Sequence, residues 1–188
     1  MKVVGLSGSK VGSKTRTAMN YTVKSLKEQY PDTEVELLDL ADYDIQFSDG
    51  RNYLEYAGDT GYVTKTLMEA DAIIIGTPVF QASIPATLKN IFDLLPQNAF
   101  RDKVVSMLVT AGSSKHYLIA EQQIKPILAY MKAQIVQTYV FIEEADFHLK
   151  EITSDDVRFR IDRLVEDTVM LTETFAAIRE KKEEEYDF

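Results

Sequence analysis

The stretch Lys2–Thr17 reads KVVGLSGSKVGSKTRT, passing from a short apolar run (Val3, Val4, Leu6) through Ser7-Gly8-Ser9 to a hydroxyl- and cation-rich opening, Ser13-Lys14-Thr15-Arg16-Thr17. The apolar run barely alternates, which predicts a strand buried on both faces of a parallel sheet. Ser13 fits the N-cap of a helix running to about Tyr30, where Pro31-Asp32 stops it. A strand whose loop aims at a helix N-terminus is a ready anion site. The first-turn N–H groups there lack intrahelical acceptors, and the helix dipole favours negative charge. An ordinary strand-to-helix turn with a serine cap explains the same residues, so this stretch alone leaves both readings open.

Working outward, the same strand-then-helix grammar repeats. Glu34–Leu38 (EVELL) predicts a second strand, Ala72–Gly76 (AIIIG) a third, Lys103–Val109 (KVVSMLV) a fourth and Gln134–Ile142 (QIVQTYVFI) a fifth. Helices are predicted over about Thr60–Ala70, Pro85–Leu95 and Lys115–Met131, the last bent by Pro126. From Ser154 onward, Ile161, Leu164, Val165, Thr168, Leu171, Phe175 and Ile178 recur at helical spacing. The end, EKKEEEYDF, reads as a frayed, solvated tail. Asp39 to about Tyr62 is the irregular part; its length and five aromatics suit a lid or an oligomer contact. Five strands alternating with five helices predict one doubly wound α/β domain over residues 1–180, with a tail at 181–188.

Composition narrows the chemistry. Without cysteine there is no disulfide framework, thiolate metal site or catalytic thiol, and two histidines leave little for zinc. No apolar run is long enough to span a bilayer and no signal-peptide core opens the chain, so the expectation is a cytoplasmic protein without membrane contact. A net charge of −9 argues against nucleic acid as partner. Residues 1–27 nevertheless hold six cations and no acid, leaving 15 Lys and Arg against 30 Asp and Glu for the remainder. That asymmetry suits a small anionic ligand; a solvated cationic helix face is the plainer account.

In an open parallel sheet, ligands bind outside the carboxyl ends of the strands, where strand order reverses. Three such ends carry unusual loops: Ser7–Thr15, Thr77–Ser83 and Thr110–His116. In the order 2-1-3-4-5 the strands behind them are neighbours and the loops meet. The first loop fits neither GxGxxG nor GxxxxGK[ST], which removes the dinucleotide fingerprint and the P-loop. Hydroxyls ahead of a helix suit a terminal phosphate monoester, as in FMN.

The combination LSGSKVGSKT, GTPVFQASIPATLKNIFDLLP and TAGSSKHYLIAEQQIKPIL resembles the NADPH-dependent FMN reductase family, with its alkanesulfonate-linked, azo- and quinone-reducing members, over roughly residues 1–140. The resemblance implies a flavodoxin-like fold, bound FMN, NADPH or NADH as reductant, and a homodimer or homotetramer. It implies that Ser9, Ser13, Lys14 and Thr15 hold the FMN phosphate. Pro78, Val79, Phe80 and Gln81 would follow the ribityl chain and ring edge, with Ser83 nearby. Thr110, Ala111, Gly112, Ser113 and His116 would line the ring's other side. Hydride transfer needs stacked rings more than an acid–base pair, so no catalytic side chain is assigned. The electron acceptor implied is a small molecule: free flavin, a quinone or an azo compound. Flavin-exporting members carry an aromatic after the acid that aligns with Glu121, and here that position is Gln122. A flavodoxin-like electron carrier without pyridine-nucleotide activity is the alternative. His148, Glu143-Glu144 and Asp155-Asp156 read as solvated surface, and Tyr43, Phe47, Tyr53 and Tyr56 as exposed aromatics.

Overall fold

The opening apolar run becomes β1 (Lys2–Ser7), buried from Val3 onward, and Ser13 takes the N-cap position of α1 (Lys14–Gln29). In the computed structural model, which describes residues 1–186, the chain continues through β2 (Glu34–Asp39), α2 (Gly58–Glu69), β3 (Ala72–Pro78), α3 (Ala86–Leu94) and β4 (Val104–Ala111). The strands β1 to β4 pair in parallel in the expected flavodoxin-like order β2-β1-β3-β4. Alternate residues of each strand feed two different cores. Val4, Leu6, Ile73 and Ile75 pack with Val63 and Leu67 of α2 and Leu88 and Ile91 of α3. Val3, Ala72 and Ile74 pack on the opposite face with Ala18, Met19 and Leu26 of α1, where Ile161, Leu164 and Val165 of the last helix join them. The sheet is covered on both faces, which is why its strands read as apolar runs.

Four local expectations are corrected. The fifth strand is not continuous: β5 (Gln134–Ile135) and β6 (Val140–Glu143) both lie parallel to β4, separated by residues 136–139. Between the Val105↔Ile135 and Leu108↔Val140 pairs, three steps along β4 face five along the edge strand, so two residues bulge out. The bulge delivers the Tyr139 hydroxyl to the Tyr117 carbonyl at 2.8 Å.

The helix expected over Lys115–Met131 is broken as well. A 3₁₀ turn (Ser114–His116) and a π-helical turn (Ala120–Ile124) precede a short α4 (Lys125–Tyr130). Pro126 has no N–H to donate to the carbonyl four residues back, and the adjacent Lys125 N–H reaches the wider Ala120 carbonyl.

In the irregular segment only Phe47 of the four aromatics named above is truly exposed. Tyr56 is buried with its hydroxyl on Asp49 (2.8 Å), and Tyr43 stacks on Tyr62. Asn90 of α3 fastens the segment by donating to the Gln46 carbonyl and accepting from the Ser48 N–H, both at 2.9 Å. A short hairpin, β7 (Phe147–His148) and β8 (Glu151–Ile152), then leads into α5 (Asp155–Tyr186). Within the expected tail, 181–186 therefore continue a helix with residues 181–185 exposed, while 187–188 lie outside the described residues.

Candidate functional site

At the carboxyl edge of the sheet, the loops after β1, β3 and β4 enclose a cleft of about 390 Å³. Its walls are residues 11–15, Pro78-Val79-Phe80, Thr110-Ala111-Gly112 and Glu144. Each wall is shaped by local chemistry. Ser9 is buried, and its Oγ donates to the Val11 carbonyl (2.7 Å) while accepting from the Val11 N–H (3.2 Å), which folds the loop back on itself. Gly12, at φ +87°, then turns the chain into α1, a conformation that glycine adopts without a Cβ clash. The Gly8 N–H donates to the Gly76 carbonyl (2.8 Å), tying this loop to β3.

Beneath the cleft, the hydroxyls of Thr15 and Thr110 meet at 2.7 Å and are both buried, so the first and third loops share one hydrogen bond. Ser13 is exposed and makes no capping bond. Its hydroxyl and the first-turn N–H groups of α1 are therefore available to an anion. Among the described residues, that turn holds no acid. Arg16 points elsewhere, to Asp39 at the end of β2 and to Asp42 (2.8 Å) in the 3₁₀ turn that follows it. Hydrogen bonds to Asp39 first and Asp42 second hold its guanidinium pKa above the usual arginine value.

The second wall is a tight turn in which Phe80 and Ser83 exchange both backbone hydrogen bonds, at 2.9 and 3.0 Å. Its two central residues, Gln81 (φ +48°) and Ala82 (φ +58°), are left-handed without being glycine, costing roughly 1 kcal/mol each. The paired backbone hydrogen bonds hold Phe80 at the cleft rim. In the third wall, a Cβ on Gly112 would find only Glu144 Oε2, at 4.0 Å, within contact range, so the backbone there faces open space. Glu144 leans across from the end of β6 and pairs with Lys14 Nζ.

Nine of the fourteen residues named from the sequence line this cleft: Ser13, Lys14, Thr15, Pro78, Val79, Phe80, Thr110, Ala111 and Gly112. The other five stand behind it or beside it. Ser9 shapes the loop after β1, Gln81 forms the turn after β3, and Ser83 ends that turn with its Oγ donating to Gln123 Oε1 (3.2 Å). Ser113 and His116 belong to the 3₁₀ turn after β4 and are not among the lining residues. Glu144 was missed: it reads as a solvated acid, yet it lines the cleft, and its place just past a strand end was the available signal. His148 is exposed, as expected.

The donor set fits a phosphate monoester, and Pro78, Val79, Phe80 and Ala111 offer an apolar seat for a flat ring beside it. Among the described residues no cluster of three or more His, Asp or Glu could hold a metal, and no helix is long and apolar enough to cross a membrane.

The chain is similar to known flavin reductases. A family described as NADPH-dependent FMN reductase matches residues 1–147. An NAD(P)H-dependent FAD/FMN reductase of Geobacillus thermodenitrificans is 38% identical over 170 residues, covering 90% of this chain and 92% of that one. The NADH-dependent FMN reductase SfnF of Pseudomonas fluorescens is 30% identical over 162 residues, 86% of each chain. The apo structure of an NADH:FMN oxidoreductase, EMOB, superposes with a TM-score of 0.73 at 25% identity, covering 88% of this chain and 86% of that one.

Proposed function

The chain belongs to the NADPH-dependent FMN reductase family, and from that membership we propose that it binds FMN in the sheet-edge cleft and reduces it with NADPH or NADH. The observation that carries the proposal is the cleft itself, where free donors at the start of α1 adjoin an apolar seat formed by Pro78, Val79 and Phe80. FMN supplies a ring that accepts a hydride and passes electrons onward one or two at a time. The chain's own groups bind and orient. The Ser13 hydroxyl and the first-turn N–H groups of α1 hold the phosphate, and Lys14 adds positive charge beside them. Pro78, Val79 and Phe80 exclude water from one side of the ring site, and the bare backbone at Gly112 permits close approach from the other. No side chain is assigned a proton-transfer role, because positioning two rings in contact supplies most of what hydride transfer needs.

The electrons then go to a small-molecule acceptor: free flavin, a quinone or an azo compound. Assembly as a homodimer or homotetramer is part of the same proposal. An apolar groove of about 480 Å³ between α3 and α4, lined by Phe92, Leu95, Pro96, Ile127, Tyr130 and Met131, supports it. Sedimentation analysis tests that part.

Fluorescence titration with FMN, followed by anaerobic stopped-flow mixing with NADPH and NADH, tests the main proposal. Micromolar FMN binding and bleaching of the flavin by at least one reductant are expected. Absence of FMN binding would remove the proposal, and binding without bleaching would identify an electron carrier instead.

A further inference from the structure

A second and larger cleft, of about 890 Å³, lies along the outer face of α1. Ser13, Arg16, Thr17, Asn20, Tyr21 and Lys24 follow helical spacing and form one wall. The hairpin residues Lys150, Glu151 and Ile152, with Arg158 of α5, form the other. On a chain of net charge −9, this cleft collects five cations, and among the described residues Glu151 is the one acid that lines it.

Those cations are not equivalent. Arg16 is engaged by Asp39 and Asp42. Arg158 is engaged by Asp155 (3.3 Å) and the Ile152 carbonyl, and Lys24 approaches Glu28 at 3.8 Å. Lys10 and Lys150 have no acidic partner within 4.0 Å among the described residues, and both line the cleft, Lys10 from the loop ahead of α1 and Lys150 from the hairpin. Two unpaired ammonium groups lining one cleft are free to complement an anion that enters it. The cleft also shares Gly12 and Ser13 with the flavin cleft, so the phosphate loop is the partition between the two.

We propose that this α1–hairpin cleft receives the 2′-phosphorylated adenosine half of NADPH, with Lys10 and Lys150 closing on the 2′-phosphate, so that the enzyme prefers NADPH to NADH. The inference rests on the hydride-transfer reading above for the identity of the ligand. The 2′-phosphate is the group by which the two reductants differ, and it is a compact dianion, the charge that two free lysines complement. Tyr21, half-buried in the wall that α1 gives this cleft, presents an aromatic surface suited to a purine. The cationic bias of residues 1–27 thereby divides between two phosphates rather than serving one.

Isothermal titration of the FMN-loaded protein with adenosine 2′,5′-bisphosphate and with AMP tests the site directly. The bisphosphate is expected to bind about tenfold more tightly, and the double variant Lys10→Ala/Lys150→Ala to abolish that advantage. In turnover, the variant's KM for NADPH should rise about tenfold while its KM for NADH moves less than twofold. Lys150→Glu, a single exposed change, should act in the same direction, and Lys150→Arg should restore the preference. Equal binding of bisphosphate and AMP would overturn the proposal, as would an unchanged NADPH-to-NADH ratio in both variants, or pyrophosphate displacing the bisphosphate at equal concentration. Lysine-dependent bisphosphate binding in a protein that fails to bleach with NADPH would sustain the site and overturn the reductase reading. Bleaching that shows no dependence on the lysines would do the reverse.

Discussion

Lys14 and Glu144 show how one contact can set the character of the sheet-edge cleft in which FMN binding is proposed. Their side chains are 38% and 67% exposed, so the pair contributes under about 1 kcal/mol to stability. Its effect on an incoming phosphate is larger in proportion, because Glu144 both occupies Lys14 and adds a like charge beside the phosphate seat. Replacing Glu144 by Gln should tighten FMN binding about two- to fivefold and leave riboflavin, which lacks the phosphate, unchanged in the same fluorescence titration. Ser13 and Thr15 divide differently. Ser13→Ala should weaken FMN several-fold without lowering the melting temperature, since its hydroxyl caps nothing in the protein. Thr15→Val should lower stability by about 1–3 kcal/mol in urea unfolding, because it leaves the buried Thr110 hydroxyl without its 2.7 Å partner. A Ser13→Ala protein that kept full FMN affinity would place the phosphate elsewhere.

The elements that hold the loops depend on close approaches. A Cβ on Gly61 would lie 2.2 Å from the Tyr56 carbonyl oxygen, a backbone atom that cannot swing aside. Gly61→Ala should therefore cost about 1–3 kcal/mol of stability and loosen the irregular segment from α2, read by urea unfolding and by amide exchange of residues 43–57. The broken edge strand makes a second prediction. Tyr139, buried in its bulge, has its phenol pushed up to about 12, by burial first and then by Tyr117. In the unfolded chain the phenol ionises near 10, so between those values the unfolded state has already lost the proton that the folded state keeps. Stability then falls as pH rises from 10 towards 12, by about 1–2 kcal/mol from this residue. Tyr139→Phe should flatten that alkaline slope in denaturation curves while lowering stability at neutral pH through the lost bond to Tyr117.

At the scale of the whole molecule, an acidic protein sets six of its 21 lysines and arginines, Lys14 among them, along the two clefts beside α1. Salt should therefore weaken FMN binding and leave riboflavin binding nearly level, as a titration series in NaCl would show. Most of this plan was legible in the chain. Alternating apolar runs and helical periodicities predicted the parallel, doubly wound sheet, the family resemblance implied its flavodoxin-like order, and the three strand-end loops did converge. The losses were local. Pro126 signalled a bend, but its π turn depends on where the Ala120 carbonyl stands after folding. The two-residue bulge at 136–139 depends on pairing with β4, and nothing in QIVQTYVFI announces it.

Period, breaker residues and composition act over a few neighbours, so the chain alone settled the doubly wound sheet and the sequence of its main strands and helices. Contacts between residues far apart in the chain have no such local signature. Glu144 meets Lys14 across 130 positions, Thr15 meets Thr110 across 95, and Lys150 comes to face the helix that begins at Lys14. Folding brings those groups together at the sheet edge, and the loop of KVVGLSGSKVGSKTRT becomes the partition between two clefts only when β3, β4 and the β7–β8 hairpin close around it.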